Sequence, residues 1–249
     1  MIGMGFNNRS IQLVIIILIL FGFVVLSGVP AKGRTIKFSG YHWAVKNYTE
    51  HKRGPGPNYW SDSEDNVWLD KEENLHLKIT ERAGNWYSAE VYLKRFLGYG
   101  EYIFYLDPQK TELPDEVVLG LFLYGGPGEE VDIEISGWDE NDEPNLQFVV
   151  QPAHIAGHLD KLKLNTMHEK RTFKIDWNED RVIFTLIEGH HREPKDQDSV
   201  ITEWIFTGYQ VPDGKLYSRM NLWIFQGDPP EKREPAEITV EGFEFFKDS

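Results

Sequence analysis

The chain of 249 residues contains no cysteine. That absence excludes disulfide staples, thiolate zinc sites and a lipidated-cysteine anchor, so stability has to come from packing. Positive charge is scarce as well. Twenty-six Lys and Arg stand against 40 Asp and Glu, a net charge of −14. Such a chain repels a phosphate backbone and offers no basic stripe for counterion release, which argues against a nucleic-acid partner. No nucleophilic serine motif and no glycine-rich phosphate loop stands out. After the first thirty residues a sustained helical period is hard to find, and the chain shows neither repeats nor low-complexity tracts.

What is present is apolar and aromatic mass, with 41% hydrophobic and 14% aromatic residues. Arg9 precedes an uncharged run from Leu13 to Leu26 that continues to Val29. This segment, residues 1–30, is expected to be a signal peptide or an N-terminal membrane anchor, and Ser27, Gly28 and Ala31 are small enough for cleavage. The protein is therefore expected outside the cell or at its surface, touching a membrane only through that segment if it stays uncleaved. Asn47-Tyr48-Thr49 fits a glycosylation sequon.

Residues 31–249 are the size of one all-β sandwich. Short alternating runs rich in β-branched and aromatic residues recur between Gly, Pro, Asn and Asp clusters. Strands are expected at 74–80, 88–94, 100–106, 117–124, 130–136, 146–151, 171–176, 181–187, 200–207, 218–226 and 237–246. That number implies two packed sheets. The run 173–185, with Asn178-Glu179-Asp180 at its centre, is the clearest hairpin.

In Glu130-Val131-Asp132-Ile133-Glu134-Ile135 acids alternate with aliphatics. A strand there puts three carboxylates on one face and three apolar side chains on the other. Taken alone, this is first the pattern of a half-buried strand with a solvated acidic face. The spacing nevertheless suits glycoside chemistry. Cα atoms four residues apart lie ~13 Å apart, and two long Glu side chains leaning inward reach the ~5–5.5 Å between carboxylates of a retaining glycosidase. Mutual repulsion is expected to leave one Glu protonated and the other ionised near neutrality.

These residues lie within a longer set of ordered segments. Phe96-Leu97-Gly98-Tyr99-Gly100 and Glu101-Tyr102 precede the acidic strand, as does Leu121-Phe122-Leu123-Tyr124; Leu146-Gln147-Phe148, 173–177 and Met220-Asn221-Leu222-Trp223 follow it. In this order and spacing the chain resembles glycoside hydrolase family 16, the laminarinase, lichenase and xyloglucan-transglycosylase group, in its unbulged E-x-D-x-E form. The resemblance implies a concanavalin A-like jelly roll of two curved antiparallel sheets, a concave cleft for a polysaccharide, and a monomeric retaining endo-β-glycosidase or transglycosylase. It implies that Glu130 is the nucleophile, Glu134 the acid and base, and Asp132 a partner of the nucleophile. It also implies sugar contacts from Glu90, Tyr124, Gln147, Asn221 and Trp223, although Tyr124 and Trp223 equally suit sheet aromatics and Gln147 a satisfied core polar group. A non-catalytic carbohydrate-binding jelly roll is the competing reading.

The chain departs from the family pattern at Gly128-Glu129, where lichenases carry Trp-Asp, at Tyr92 in place of an Arg, and at Val149 in place of an Asn. Trp138 is the aromatic that could replace the missing Trp. No cofactor is expected for catalysis. A structural calcium is the one ion the resemblance allows, near Glu241. His154 and His158 are four apart with Gly157 between them and no third ligand evident, so a metal role is not expected. His190-His191 is expected to be solvated.

Overall fold

The computed structural model describes residues 33–107, 113–136, 144–164, 169–208, 210–227 and 229–248. The expected leader at 1–30 and Trp138 lie outside the described residues. From Lys32 onward the chain forms one compact unit.

Two sheets make up that unit. Along the larger one the order is β1 (Thr35–Phe38), β2 (Tyr41–Val45), β8 (Asn85–Leu93), β17 (Tyr217–Ile224), β10 (Val117–Gly126), β11 (Glu129–Ser136), β12 (Leu146–Val150) and β13 (Leu159–Leu162). Three short strands join it at β8: β4 (Asn58–Trp60), its partner β3 (Tyr48–Arg53), and β7 (Thr80–Arg82). The smaller sheet runs β16 (Val200–Thr207), β15 (Arg181–Glu188), β14 (Arg171–Trp177), β9 (Gly100–Asp107), β18 (Glu237–Lys247), β6 (Leu75–Lys78) and β5 (Val67–Leu69). Every ladder is antiparallel except β4 with β8. These are the two packed sheets expected from the strand pattern, in the jelly-roll sandwich that the family resemblance implied.

Alternation along each strand builds the core. Ala89 and Val91, Leu119 and Leu121, Val131 and Ile133, and Met220 and Leu222 point inward from the larger sheet and meet Leu77, Tyr102, Phe104, Phe173, Ile175, Phe184 and Phe243 from the smaller one. Rings lock the layers together. Phe148 of β12 stacks on Phe184 of β15 at 5.0 Å, and Trp43 of β2 meets Phe243 of β18 edge-on at 5.0 Å. Such pairs add to the area they bury.

The expected strands recur with shifted ends, and two expectations change. The run 74–80 is not one strand. The chain leaves β6 at Lys78, Ile79 N–H bonds Ala236 O at 2.8 Å, and β7 begins in the other sheet. The run 218–226 ends at Ile224, where Gln226 turns to φ 54°. The unanticipated strands are short or polar. All six residues of β3 are exposed, so no apolar alternation marks it. The β1–β2 turn does carry a cue, since Ser39 and Gly40 take φ of 50° and 80°, the two left-handed positions of a tight hairpin. The expected hairpin at 173–185 is β14 with β15.

Ile133, fully buried on the inner face of β11, ties the acidic strand to the core. Ile133→Ala is expected to cost about 2–5 kcal/mol of unfolding free energy in urea titrations. Ile205→Ala, at a side chain 51% exposed, is expected to stay within about 0.5 kcal/mol of wild type.

Candidate active site

Because paired residues of an antiparallel ladder share a face, register decides which side chains meet. One row crosses five strands: Glu90 pairs with Asn221, Asn221 with Gly120, Gly120 with Glu134, and Glu134 with Gln147. The neighbouring row is Tyr92, Arg219, Phe122, Asp132 and Val149. Beyond it Tyr124 pairs with Glu130, and on the other side Trp223 pairs with Val118. All eight site residues expected from the sequence therefore lie on the outer face of the larger sheet. Seven line one cleft of about 600 Å³, and the eighth, Gln147, reaches it by donating Nε2 to Glu134 Oε2 at 2.5 Å.

Gly120 keeps the middle of this floor open. A Cβ there would stand 2.5 Å from Asn221 Oδ1. Asn221 is buried, and its Oδ1 has no partner among the described residues, nor has the buried Nε1 of Trp223. An acceptor and a donor left unpaired in a cleft suit sugar hydroxyls, which both give and accept hydrogen bonds.

The three carboxylates are not simply solvated. Asp132 is only 6% exposed, and burial together with the charges of Glu130 and Glu134 pushes it well above the usual carboxyl range. Glu130 is pushed up to about 7, chiefly by burial, although its hydrogen bond with Asp132 and the Arg219 charge oppose the shift. Burial raises Glu134 too, against the bond from Gln147. The upward shift thus falls on all three groups, Asp132 included, rather than on one Glu alone.

Sequence reasoning missed the cations. Glu90, 1% exposed, accepts from Lys46 Nζ at 2.6 Å and from Arg219 Nη1 at 2.8 Å. Lys46 also donates to Gly54 O at 2.8 Å and lies 3.7 Å over the Trp60 ring. Burial lowers its pKa, and Glu90 opposes that shift. Arg219 covers Tyr124 at 4.8 Å and Tyr92 at 5.1 Å. The only available signal was its place two residues before Asn221, on the same strand face.

The wall above the floor comes from the β3–β4 hairpin, which brings Tyr48, Arg53, Gly54 and Pro55 to the cleft. Asn58 stitches it down, donating to Pro55 O at 2.9 Å and Ile224 O at 2.8 Å while accepting from Ser88 Oγ at 2.9 Å. Gly56, at φ 56°, packs where a Cβ would crowd Trp223 and Ile224.

Elsewhere, His158 is buried, with Nδ1 2.8 Å from Val150 O and its ring against Phe206, while His154 is exposed. His190 is not solvated as expected. The turn after β15 brings Nε2 within 2.9 Å of Leu106 O and Nδ1 within 3.1 Å of Glu241. Glu241 also accepts from Lys170 Nζ at 2.6 and 2.7 Å.

No family model matches the chain, and no curated protein is similar to it in sequence. Solved structures decide the fold. A Bacillus licheniformis β-glucanase superposes with a TM-score of 0.65 at 18% identity, over 87% of this chain and 100% of its own. The fold is that of the β-glucanases. A pseudo-β-1,3-glucanase of Mycobacterium tuberculosis, described as an immunostimulatory antigen, aligns at TM-score 0.59 and 22% identity over 83% of this chain and 91% of its own. A glycosyl hydrolase family 16 protein from Mycobacterium smegmatis aligns at 0.59 and 17% over 82% and 91%. The β-glucanase fold thus occurs in chains described both as glucanases and as a pseudo-glucanase.

The raised carboxyl groups make stability depend on pH in a defined direction. The folded protein keeps Glu130 protonated to higher pH than the unfolded chain does, so its contribution to stability falls as pH rises from the ordinary carboxyl range through about 7. Glu130→Gln removes that loss. Its melting temperature, measured by differential scanning fluorimetry, is expected to exceed wild type at about pH 8 and to show much less gain at about pH 4; an equal gain at both would place the Glu130 pKa in the ordinary range.

Proposed function

We propose that the domain is an exported retaining endo-β-glycosidase of the glycoside hydrolase family 16 type, cleaving a polysaccharide by double displacement. The observation that supports it best is the meeting of Glu130, Asp132 and Glu134 in one cleft with Gln147 on Glu134 and unpaired sugar-binding atoms on Asn221 and Trp223.

In this reading Glu134 protonates the glycosidic oxygen as Glu130 attacks the anomeric carbon, giving a glycosyl-enzyme and a released chain end. Glu134 then takes a proton from water, whose oxygen displaces Glu130 and restores both groups. If a sugar hydroxyl replaces water, the same step is transglycosylation. Asp132 shares its hydrogen bond with Glu130, and a protonated Asp132 donating to Glu130 favours the ionised nucleophile. No cofactor enters the scheme.

A second reading, non-catalytic carbohydrate binding, is favoured by Tyr92 and Val149, which replace family polar residues on the same row as Asp132, and by the neighbour described as a pseudo-glucanase. Reducing-end release from a panel of β-glucans and related polymers separates the two. Under the enzymatic reading Glu134→Gln lowers kcat by about 10²–10⁴-fold while the polymer still binds. Binding without release by the wild-type protein would establish the second reading.

A further inference from the structure

One motif of the sequence has no part in glycoside cleavage. Asn47-Tyr48-Thr49 is the acceptor pattern for an N-linked glycan, with no proline at its centre. After residue 30 no other asparagine has Ser or Thr two positions on. A match of three residues is weak by itself, and its place in the fold decides whether it can carry a sugar.

That place is open. The chain leaves the core at Val45, the buried end of β2, and passes Lys46, whose ammonium group is held on Glu90 and Gly54 O. Asn47, Tyr48 and Thr49 are all exposed, and the Asn47 carboxamide has no hydrogen-bond partner among the described residues. Among the described strands β3 pairs only with β4, so its other edge is free, and all six of its residues are exposed. Lys46 and Tyr48 line the cleft whereas Asn47 and Thr49 do not, the alternation of an extended chain. A glycan on Asn47 therefore has room behind the wall of the cleft, with the Thr49 hydroxyl on the same side.

We propose that Asn47 is an N-glycosylation site whose glycan stands on the outer side of the cleft wall. The proposal rests on the reading of the protein as exported. The co-reactant is an oligosaccharide joined through its anomeric carbon to a lipid phosphate, and a membrane transferase, not this chain, is the catalyst. Asn47 Nδ2 forms a bond to the anomeric carbon as the bond from that carbon to the phosphate oxygen breaks. The electron pair of the broken bond leaves with the lipid phosphate, one Nδ2 proton passes to a base of the transferase, and nothing is oxidised or reduced. Thr49 supplies the hydroxyl that completes the acceptor pattern.

The test is peptide mass mapping of the full chain, made with its own leader in its own organism and recovered from outside the cytoplasm. The peptide that contains Asn47 is expected to carry added sugar mass, which fragmentation places on the Asn47 side chain. Asn47→Gln and Thr49→Ala are each expected to lose that mass, and Thr49→Ser to keep it, because serine supplies the same hydroxyl. Both positions are exposed, so the three variants are expected to fold as wild type does, which circular dichroism checks. An exported chain with the unmodified mass at Asn47, or added mass that survives Thr49→Ala, would overturn the proposal and leave export and the glycosidase reading standing. An unmodified chain confined to the cytoplasm would overturn the proposal and export together.

Discussion

The site depends on the two-residue period of β11, because the same strand that presents Glu130, Asp132 and Glu134 to the cleft drives Val131, Ile133 and Ile135 into the core. The two faces cannot move independently. A slip of one residue would bury three carboxylates between the sheets and expose three aliphatics, so the hydrophobic effect that closes the sandwich also fixes where the acids stand. Rings crossing between the layers, such as Phe148 on Phe184, hold the strand's neighbour β12 and with it Gln147.

Burying that much negative charge on one face needs compensation, and the fold supplies it in two ways. Burial pushes all three carboxyl groups of the trio above their usual range, which favours their neutral forms over a buried charge. Glu90, the most enclosed acid of the cleft, is instead matched by Lys46 and Arg219. One end of the cleft therefore holds three carboxyl groups with raised pKa and the other an ion-paired cluster. That polarity suits chemistry in which a proton moves at one point while the rest of a chain is held by fixed charges and hydroxyl contacts.

The wall is built differently from the floor. A rigid β-sheet fixes the floor, whereas the exposed β3–β4 hairpin is held by the side chain of Asn58, the ring of Trp60 and close backbone approaches at Gly56 and Gly227. Residues on the floor are fixed by ladder register, and those on the wall by a few polar contacts. Differences in what related folds accept are expected to arise at such a wall, where Tyr48 and Arg53 stand.

The layer architecture and the acidic strand were legible in local residue pattern. Alternation at 130–136 and 171–177 is strong because each of these strands has one face in the core, 117–124 is marked instead by an unbroken apolar run, and E-x-D-x-E needs no partner to put its acids on one side. The spacing of Met220-Asn221-Leu222-Trp223 and of Gln147 also pointed to residues that the fold brings to the cleft. The rest follows from strand pairing. Only cross-strand register puts Glu90, Asn221, Glu134 and Gln147 on one row, since these residues lie up to 131 positions apart and no local pattern encodes which strands pair. Lys46 and Arg53 gave no signal for the same reason, and Arg219 only its place two residues before Asn221. A charged residue on a polar strand face looks solvated until the neighbouring strand supplies Glu90 and two tyrosine rings, and the identity of that neighbour is a property of the closed sandwich rather than of any segment of the chain.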